Sequence, residues 1–419
     1  MAFDFTKDKK SPHDIFAYHL LVPRGANSST QRIQMLSQHT AQMMTLANPE
    51  FPKVFTNFEN LLGQASITGY KKAQQDFIVR NIIKKDKYNY TMIIQYKYSK
   101  QYDIINFKCY DHIGALSESY GTKMLAGEAL KNAKVGSEIA AGTYLYYTPM
   151  YDEDDSFKYG TNLRAIYTPW EGLNHEDAIV LTESAAEKLT SYQVEEIEVK
   201  IGGNQVFLDL YNKTRDENTY HSFPHVGEYT NGQILVALRQ KTNNRLLYEF
   251  QQEKMRQIET TDRIIHCPEN SEVVEIDVYT TKTPEELRNT NDMFMREIAD
   301  VLEDQNRYWE ELKSALDEII PVANDEQVTM FMSETEKKMY RYELETFKTN
   351  IDRALPHEQN PNSYTNDVGY YWKLAHEYCN RKIKWRTDGN VLDNIIIKFT
   401  LLKTDKVDIG LKLSGRSKF

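Results

Sequence analysis

The stretch RAIYTPWEGLNHEDAIVLTESAAEKL, residues 164–189, combines charged and apolar residues in an unusual order. A Trp-Glu-Gly turn leads to two adjacent carboxylates, Glu176 and Asp177, and the apolar run Ala178-Ile179-Val180-Leu181 follows at once. A short apolar run bounded by turn residues predicts a fully buried strand. Because charge is costly at the start of a buried strand, these carboxylates have either a function there or a plain strand-capping role, and the residues alone leave both open.

The composition of the whole chain fits a multidomain globular protein. With 419 residues the chain is too long for one ordinary core, so we expect two or three domains. Its hydrophobic fraction of 40% is sufficient to form their cores. A net charge of −10 argues against a nonspecific basic coat for nucleic acid, but it leaves room for a local basic site.

Cysteine usage and hydropathy indicate the compartment. Cys109, Cys267 and Cys379 lie far apart and form no Cys-x-x-Cys pair, so we predict neither a zinc site nor a disulfide framework. The first residues lack the basic start and apolar block of a signal peptide, and the chain has no run of 18 apolar residues. We therefore predict a cytosolic protein, of a cell or of an infected host, without a membrane partner.

The segment SSTQRIQMLSQHTAQMMTLANP predicts a helix over residues 30–47, with a serine as its N-cap and Asn48-Pro49 as its stop. Gln38 and Gln42 belong to one stripe of this helix, and Arg32 lies beside that stripe. Amides in such a stripe fit either a solvated face or the binding of a polar ligand. The residues alone leave both interpretations open.

The middle of the chain has the pattern of antiparallel strands. Alternating apolar residues over residues 87–110 predict a hairpin, and residues 135–147 predict a turn followed by a strand. The turns Gly202-Gly203 and Asn231-Gly232 each stand between two strand patterns. The acidic run of residues 152–155 fits a solvated loop better than a metal site, since adjacent residues on a loop rarely converge on one ion.

A long helical pattern follows. The sequence Thr283-Pro284-Glu285-Glu286 has an N-cap, a proline at the first helical position and a glutamate that can reach back to the cap. Apolar residues at three-four spacing continue to residue 319, and a second helix pattern covers residues 333–355. We predict an antiparallel helical hairpin over residues 283–355 that protrudes as an arm and carries no chemistry.

The last 39 residues, 381–419, are basic, with ten Lys or Arg against four Asp. A buried strand is predicted near residues 395–399. Beyond it, Lys412 and Arg416 stand close to glycines, an arrangement that lets backbone and charge approach a phosphate together. A frayed basic terminus explains the same residues equally well.

Five blocks of the sequence resemble the β subunit of multisubunit DNA-dependent RNA polymerases. PWEGLNHEDAIVLTE resembles the family's P-W-x-G-Y-N-F-E-D block, and IGLKLSGRSKF resembles its G-D-K-x-[AS]-G-R-H-G-N-K-G block. LLVPRGANSSTQRIQMLSQHTAQMM, VGSEIAAG and VGEYTNGQILVAL resemble three less specific blocks, in the family's order. His175 replaces an aromatic residue of the family pattern, and Leu411 replaces an aspartate.

The resemblance implies an α+β, mainly β fold: a double-psi β-barrel with a β flap that carries a long antiparallel helical hairpin. The expected segments are residues 1–50, a helix segment facing the active centre; 51–140, a β-rich segment with a hairpin; 141–200 plus 372–419, the barrel; and 201–371, a flap-like domain with the helical hairpin 283–355.

The resemblance also implies which residues face the reacting groups. Glu176 and Asp177 would lie near the second Mg²⁺ of a two-metal centre, through water. Lys412 would contact the RNA 3′ end or the nucleotide, and it completes the expected catalytic set. The expected nucleotide- or RNA-binding residues are Arg32 at the triphosphate, Gln38, Gln42, Lys412 and Arg416.

The implied partners follow from what the chain lacks. The family's aspartate loop N-A-D-F-D-G-D, which holds Mg²⁺ on β′, is absent here. We therefore expect a chain inactive alone that assembles with β′ fragments and a promoter-specificity factor, on a DNA template with RNA and nucleoside triphosphates.

The departures from the family pattern fit a large bacteriophage with a split β subunit. One or more further β fragments would then continue this central to C-terminal part, and the next chain would supply a second lysine to the active centre. Such an enzyme would act in the host cytoplasm, and packaging in the virion stays open. The alternative is a non-catalytic structural or polymerase-accessory protein that uses the helical hairpin as a docking arm.

Overall fold

The structure, a computed structural model, describes residues 27–41, 44–54, 70–98, 102–112, 120–151, 156–172, 178–201, 205–213, 220–240, 262–280, 282–290, 292–319, most of 368–379, and 395–413. Most of the regular structure in these residues is β, as the mainly β prediction requires. The double-psi barrel and the division into domains stay predictions.

In chain order the strands are β1 Tyr70–Lys72, β2 Phe77–Lys84, β3 Tyr90–Tyr96, β4 Tyr102–Phe107, β5 Tyr110–His112, β6 Tyr120–Lys123, β7 Leu125–Ala126, β8 Glu138–Ile139, β9 Tyr144–Tyr147, β10 Ala178–Leu181, β11 Ser191–Ile201, β12 Gln205–Leu208, β13 Tyr229–Thr230, β14 Ile234–Gln240, β15 Asp262–His266, β16 Ser271–Tyr279, β17 Ile395–Asp405 and β18 Gly410–Leu413. The helices are α1 Thr30–Ala41, α2 Glu128–Lys131, α3 Glu183–Lys188, α4 Pro284–Arg288 and α5 Met293–Ile319.

A six-stranded antiparallel sheet in the order β13-β16-β17-β11-β6-β5 forms the centre of the fold, and we name it the core sheet. Strand β17 pairs with β11 along its full length, from Ser191 opposite Asp405 to Ile201 opposite Ile395. Alternate residues of β17 are buried in one apolar cluster because successive side chains point to opposite faces. The buried strand predicted near residues 395–399 is confirmed, and it is longer than predicted.

The hairpin predicted over residues 87–110 is also confirmed, as strands β3 and β4 of a sheet in the order β4-β3-β2-β8. Residues 91–94 of β3 are buried on both faces of this sheet. Met92 and Ile94 pack in a cluster with Leu402 of β17. Ile93 packs on the opposite face in a cluster with Leu312 of α5.

The long helical pattern forms two helices, and the longer one does not protrude. The predicted N-cap is present, because Glu286 N donates to Thr283 Oγ1 at 3.1 Å and Thr283 N donates to Glu286 Oε2 at 2.8 Å. The helical structure is then interrupted between α4 and α5. Helix α5 buries its first half in the core-sheet cluster and its second half against the β3–β4 hairpin. The prediction of a protruding arm is therefore wrong for α5.

Helix α5 is buried because its apolar face is long enough to pack against the core sheet and then against the sheet that contains β3 and β4. Even Gln305, which interrupts the apolar pattern, is buried, and its Oε1 accepts a hydrogen bond of 3.0 Å from Val278 N of β16. The second helix pattern, residues 333–355, lies outside the described residues. The helical hairpin as a whole stays a prediction.

Two further local predictions need correction. The helix predicted over residues 30–47 ends earlier, since Leu46 and Ala47 are buried in extended chain next to β11. Gly232 has the positive φ of 70° that a tight turn requires. The strands on either side of it do not pair with each other, because β13 joins β16 while β14 joins β12 and β15.

Candidate functional site

The strand that follows the acidic pair lies next to the strand from the C-terminal block. Strands β10 and β18 form a two-stranded antiparallel sheet, which we name the β10–β18 ladder. Its register pairs Ala178 with Leu413, Ile179 with Lys412, Val180 with Leu411 and Leu181 with Gly410. The two blocks most specific to the resemblance therefore meet in space although they stand far apart in the sequence.

The structure describes the other candidate residues unevenly. Glu176, Asp177, Gln42 and Arg416 lie outside the described residues, and the side chains of Gln38 and Lys412 lie outside them as well. The positions of these groups, and their distances from one another, stay predictions.

Arg32 is exposed on α1, and its Nη1 lies 4.0 Å from Met35 Sδ. Ser29 caps this helix, with a distance of 3.4 Å between its Oγ and Arg32 N. The predicted serine cap is therefore present at Ser29.

Strand β10 is less buried than its apolar sequence predicts. Ile179 is 45% exposed and Val180 is 36% exposed, so the prediction of a fully buried strand is wrong for the described chain. In the described part of the chain, β18 is the one strand that pairs with β10. A two-stranded sheet leaves its faces open unless other elements cover them.

The segment that precedes the acidic pair is equally open. Residues 161–172 form neither helix nor strand, and Ile166, Tyr167 and Trp170 are exposed there. This segment precedes β10 in the sequence, and residues 173–177 between the two lie outside the described residues. The exposure of its large apolar side chains is unusual for a soluble surface, where single scattered apolar residues are the rule.

The sequence analysis missed a carboxylate, Glu50, that contacts both ends of residues 162–188, the segment that contains β10. Glu50 Oε1 accepts a hydrogen bond of 2.6 Å from Lys188 Nζ, at the end of α3. Glu50 Oε2 accepts hydrogen bonds from Asn162 N at 3.0 Å and from Asn162 Nδ2 at 3.2 Å. The hydrogen bond from Lys188, and next those from Asn162, lower the pKa of Glu50 to about 2.

Residues 45–53, which we name the strap, carry Glu50 and are themselves fixed to the core sheet. Thr45 Oγ1 donates to Gly121 O at 3.0 Å, and Ala47 N donates to Thr190 O at 2.8 Å. Leu46 forms a β-bridge with Ser191, the first residue of β11. The strap therefore connects the core sheet with the two ends of the segment that contains β10.

The described residues also limit where a metal ion can bind. Within them, no three His, Cys, Asp or Glu side chains come together in a way that could hold one. The largely buried carboxylates of Glu275 and Asp277 are both in contact with the ammonium of Lys85. The acidic run of residues 152–155, like the acidic pair itself, lies outside the described residues.

Within the described residues, no helix is long and apolar enough to cross a membrane.

Curated proteins similar to this chain are β subunits. It is 23% identical over 303 residues to the DNA-directed RNA polymerase subunit beta of Prochlorococcus marinus, which covers 66% of this chain and 25% of that protein. It is 28% identical over 170 residues to the corresponding subunits of a Nocardioides species and of Corynebacterium jeikeium, which covers 36% of this chain and 14% of each. The chain thus spans a quarter or less of the length of these relatives.

The match to a family model is more extensive. The model described as RNA polymerase Rpb2, domain 6, matches residues 65–417. This range includes both strands of the β10–β18 ladder and the whole core sheet. Because the match covers most of the chain, the chain belongs to the RNA polymerase Rpb2 domain 6 family.

Proposed function

We propose that this chain is part of the β subunit of a multisubunit DNA-directed RNA polymerase and lines the active centre opposite the metal-binding aspartates of β′. Membership in the family supports the subunit, and the similar curated proteins support the enzyme class. The single observation that carries the position at the active centre is the β10–β18 ladder.

The register of that ladder supports this assignment through the neighbours of the candidate residues in the sequence. Asp177 is the residue before Ala178, and Lys412 is the residue before its partner Leu413. We infer from the sequence that the two candidates lie close to the paired position of Ala178 and Leu413. A carboxylate and an ammonium held on paired strands can act together on a phosphate-bearing substrate and its metal ion.

The proposed reaction is the attack of the RNA 3′ oxygen on a nucleoside triphosphate, with pyrophosphate as the leaving group. Mg²⁺, with its main ligands on β′, would neutralise charge on the attacking and leaving oxygens. Glu176 and Asp177 provide oxygen ligands of the kind Mg²⁺ prefers, and they would act through water. Lys412 would hold the RNA 3′ end or the nucleotide. The triphosphate and RNA contacts we assign to Arg32, Gln38, Gln42 and Arg416.

The assembly that this proposal requires is larger than the chain. It contains further β and β′ fragments, a promoter-specificity factor, template DNA and RNA. We assign the chain to a large bacteriophage with a split β subunit that acts in the host cytoplasm. The exposed side chains of β10 and of residues 161–172 offer an apolar surface for such a neighbouring chain.

The proposal is tested by single-nucleotide addition on a primed scaffold with the assembled enzyme. Asp177→Ala and Lys412→Ala should each lower the rate of addition about tenfold or more, which corresponds to about 1.4 kcal/mol of transition-state stabilisation. The matched control is Lys406→Ala, since Lys406 is exposed in the connection between β17 and β18. Its rate should stay within about twofold of the wild type. Normal addition by correctly assembled Asp177→Ala and Lys412→Ala enzymes would refute the proposal.

A further inference from the structure

One side chain, Glu50, contacts both ends of the segment that contains β10. Going along the sequence, the chain passes Asn162, runs through the open residues 163–172, forms β10 and reaches Lys188 at the end of α3. Glu50 binds Asn162 with one carboxylate oxygen and Lys188 with the other. Its carboxylate therefore links two residues that stand on either side of β10 in the sequence.

The contacts on the Asn162 side form a small network with the strap. Lys53 N donates to Asn162 Oδ1 at 3.0 Å, and Asn162 Nδ2 also donates to Phe51 O at 2.8 Å. Glu50 N donates to Gly160 O at 2.7 Å. Asn162 is thus also held by contacts that do not use the Glu50 carboxylate, whereas the contact of Glu50 with Lys188 is an ion pair.

We propose that Glu50 is a positioning residue that sets the place of the β10–β18 ladder relative to the core sheet. The strap is fixed to β11 by Leu46 and Ala47, and Glu50 transmits that fixed position to both ends of the segment around β10. The expected consequence for catalysis rests on the function proposed above. The structural consequence, a more mobile ladder when Glu50 is lost, does not depend on it.

We expect the ion pair of Glu50 with Lys188 to affect the local position of the ladder more than the stability of the whole protein. The side chains of Glu50 and Lys188 are 37% and 46% exposed, and ion pairs at such sites contribute little to the stability of a protein. A reacting group, however, loses much of its rate when it is displaced by about 1 Å. A residue with a small effect on folding can therefore have a clear effect on the rate.

Three substitutions distinguish the contact of Glu50 with Asn162 from its contact with Lys188. Glu50→Ala removes both contacts. Glu50→Gln keeps an oxygen for Asn162 and loses the ion pair, and Lys188→Met loses the same ion pair from the other partner. Because the last two remove one interaction, the double variant Glu50→Gln with Lys188→Met should be no worse than either single variant.

The first measurement is hydrogen exchange of the full chain. Glu50→Ala should raise the exchange rate of the β10 and β18 amides about fivefold or more, whereas Glu50→Gln and Lys188→Met should each give a smaller increase. The control is Glu138→Gln, which breaks the surface ion pair of Glu138 with Lys97 in the sheet of β2 and β3. It should leave the exchange of β10 and β18 unchanged.

The second measurement is nucleotide addition by the assembled enzyme. Glu50→Ala should lower kcat about three- to tenfold and leave the KM for the nucleotide within about twofold, since a displaced ladder affects orientation more than ground-state binding. Unchanged exchange in Glu50→Ala, or additive effects of Glu50→Gln and Lys188→Met, would overturn the proposal. If Glu50→Ala speeds exchange of β10 and β18 while Lys412→Ala adds nucleotides at the normal rate, the positioning role is supported and the function proposed for the ladder is refuted.

Discussion

Replacing Lys85 by methionine should destabilise the contact between the β2–β3 hairpin and the core sheet. Lys85 Nζ lies 2.8 Å from Asp277 Oδ1 and also contacts Glu275 Oε1, both on β16. The side chain of Glu275 is 5% exposed, and Tyr110 donates a hydrogen bond of 2.5 Å to its second oxygen. Lys85 is thus the main counter-charge of two carboxylates removed from water.

The magnitude follows from what remains after the substitution. Removing one partner of a buried ion pair costs about 3–5 kcal/mol, because the other charge stays buried without compensation. Lys108 Nζ, 3.7 Å from Glu275 Oε2, is half exposed and replaces part of the lost charge. We therefore expect Lys85→Met to lower the free energy of opening of β16 by about 3 kcal/mol, the lower end of the range.

The pH dependence gives a second, independent signature. In the wild type, burial acts to raise the pKa of Glu275, but the charges of Lys85 and Lys108 outweigh it and hold the pKa below its ordinary value. A carboxyl with a lowered pKa contributes its full stability above its unfolded pKa, so this contribution is constant between about pH 6 and pH 8. Without Lys85, we expect burial to outweigh the remaining charge of Lys108 and to raise the pKa of Glu275. The loss of stability in Lys85→Met should then be largest at pH 8 and should decrease as the pH falls toward 5.

The assay is native-state hydrogen exchange of the β16 amides at pH 6 and pH 8, with rates corrected for intrinsic exchange. Lys97→Met is the matched control, because it breaks an exposed ion pair in the same sheet as β2 and should cost less than about 1 kcal/mol. A loss below about 1 kcal/mol in Lys85→Met, or a loss independent of pH, would refute the reasoning.

Two further substitutions test the packing around the same sheets. Gly127→Ala should cost about 1–3 kcal/mol, measured as the shift of the urea midpoint, because a Cβ at this position would collide with the carbonyl oxygen of Tyr144. Leu312→Ala should cost about 2–5 kcal/mol, because Leu312 is fully buried in α5, whereas the exposed Glu311→Ala should change stability by less than about 0.5 kcal/mol. A near-neutral Leu312→Ala would restore the idea that α5 is an arm.

Those parts of the fold that depend on neighbouring residues were predictable from the sequence. The β3–β4 hairpin follows from alternation and a short polar turn, and β17 follows from an apolar run that is interrupted by Lys398 and Thr400. The capping box at Thr283 and Glu286 is a four-residue pattern whose hydrogen bonds are local. In each case the residues that specify the element also make its contacts.

The packing partner of α5 was not predictable in the same way. Its stripe indicates that one face is buried, but an amphipathic stripe does not specify whether a second helix or a sheet buries it. Gln305, the residue that breaks the stripe, marks the answer, because its amide oxygen accepts the main-chain N–H of Val278. A polar residue within an apolar face is therefore informative about the neighbour that satisfies it.

The contacts of Glu50 leave no sequence signal at all. Its partners Asn162 and Lys188 stand 112 and 138 residues away, and neither belongs to a motif. The pairing of β10 with β18 is equally distant, but each strand lies in a block that resembles a known family. The resemblance placed the two blocks in one expected barrel without specifying that these strands pair, whereas the contacts of Glu50 were missed.

The exposure of β10 connects the sequence with the proposed assembly. A run such as Ala178-Ile179-Val180-Leu181 satisfies the requirement of a buried strand, and a charged or polar residue would serve better at a permanently wet position. In the described chain, Ile179 and Val180 are nevertheless partly exposed. An apolar pattern indicates that a strand becomes buried, and it does not indicate which chain buries it. Under the proposed function, a neighbouring polymerase chain would cover the exposed side chains of β10.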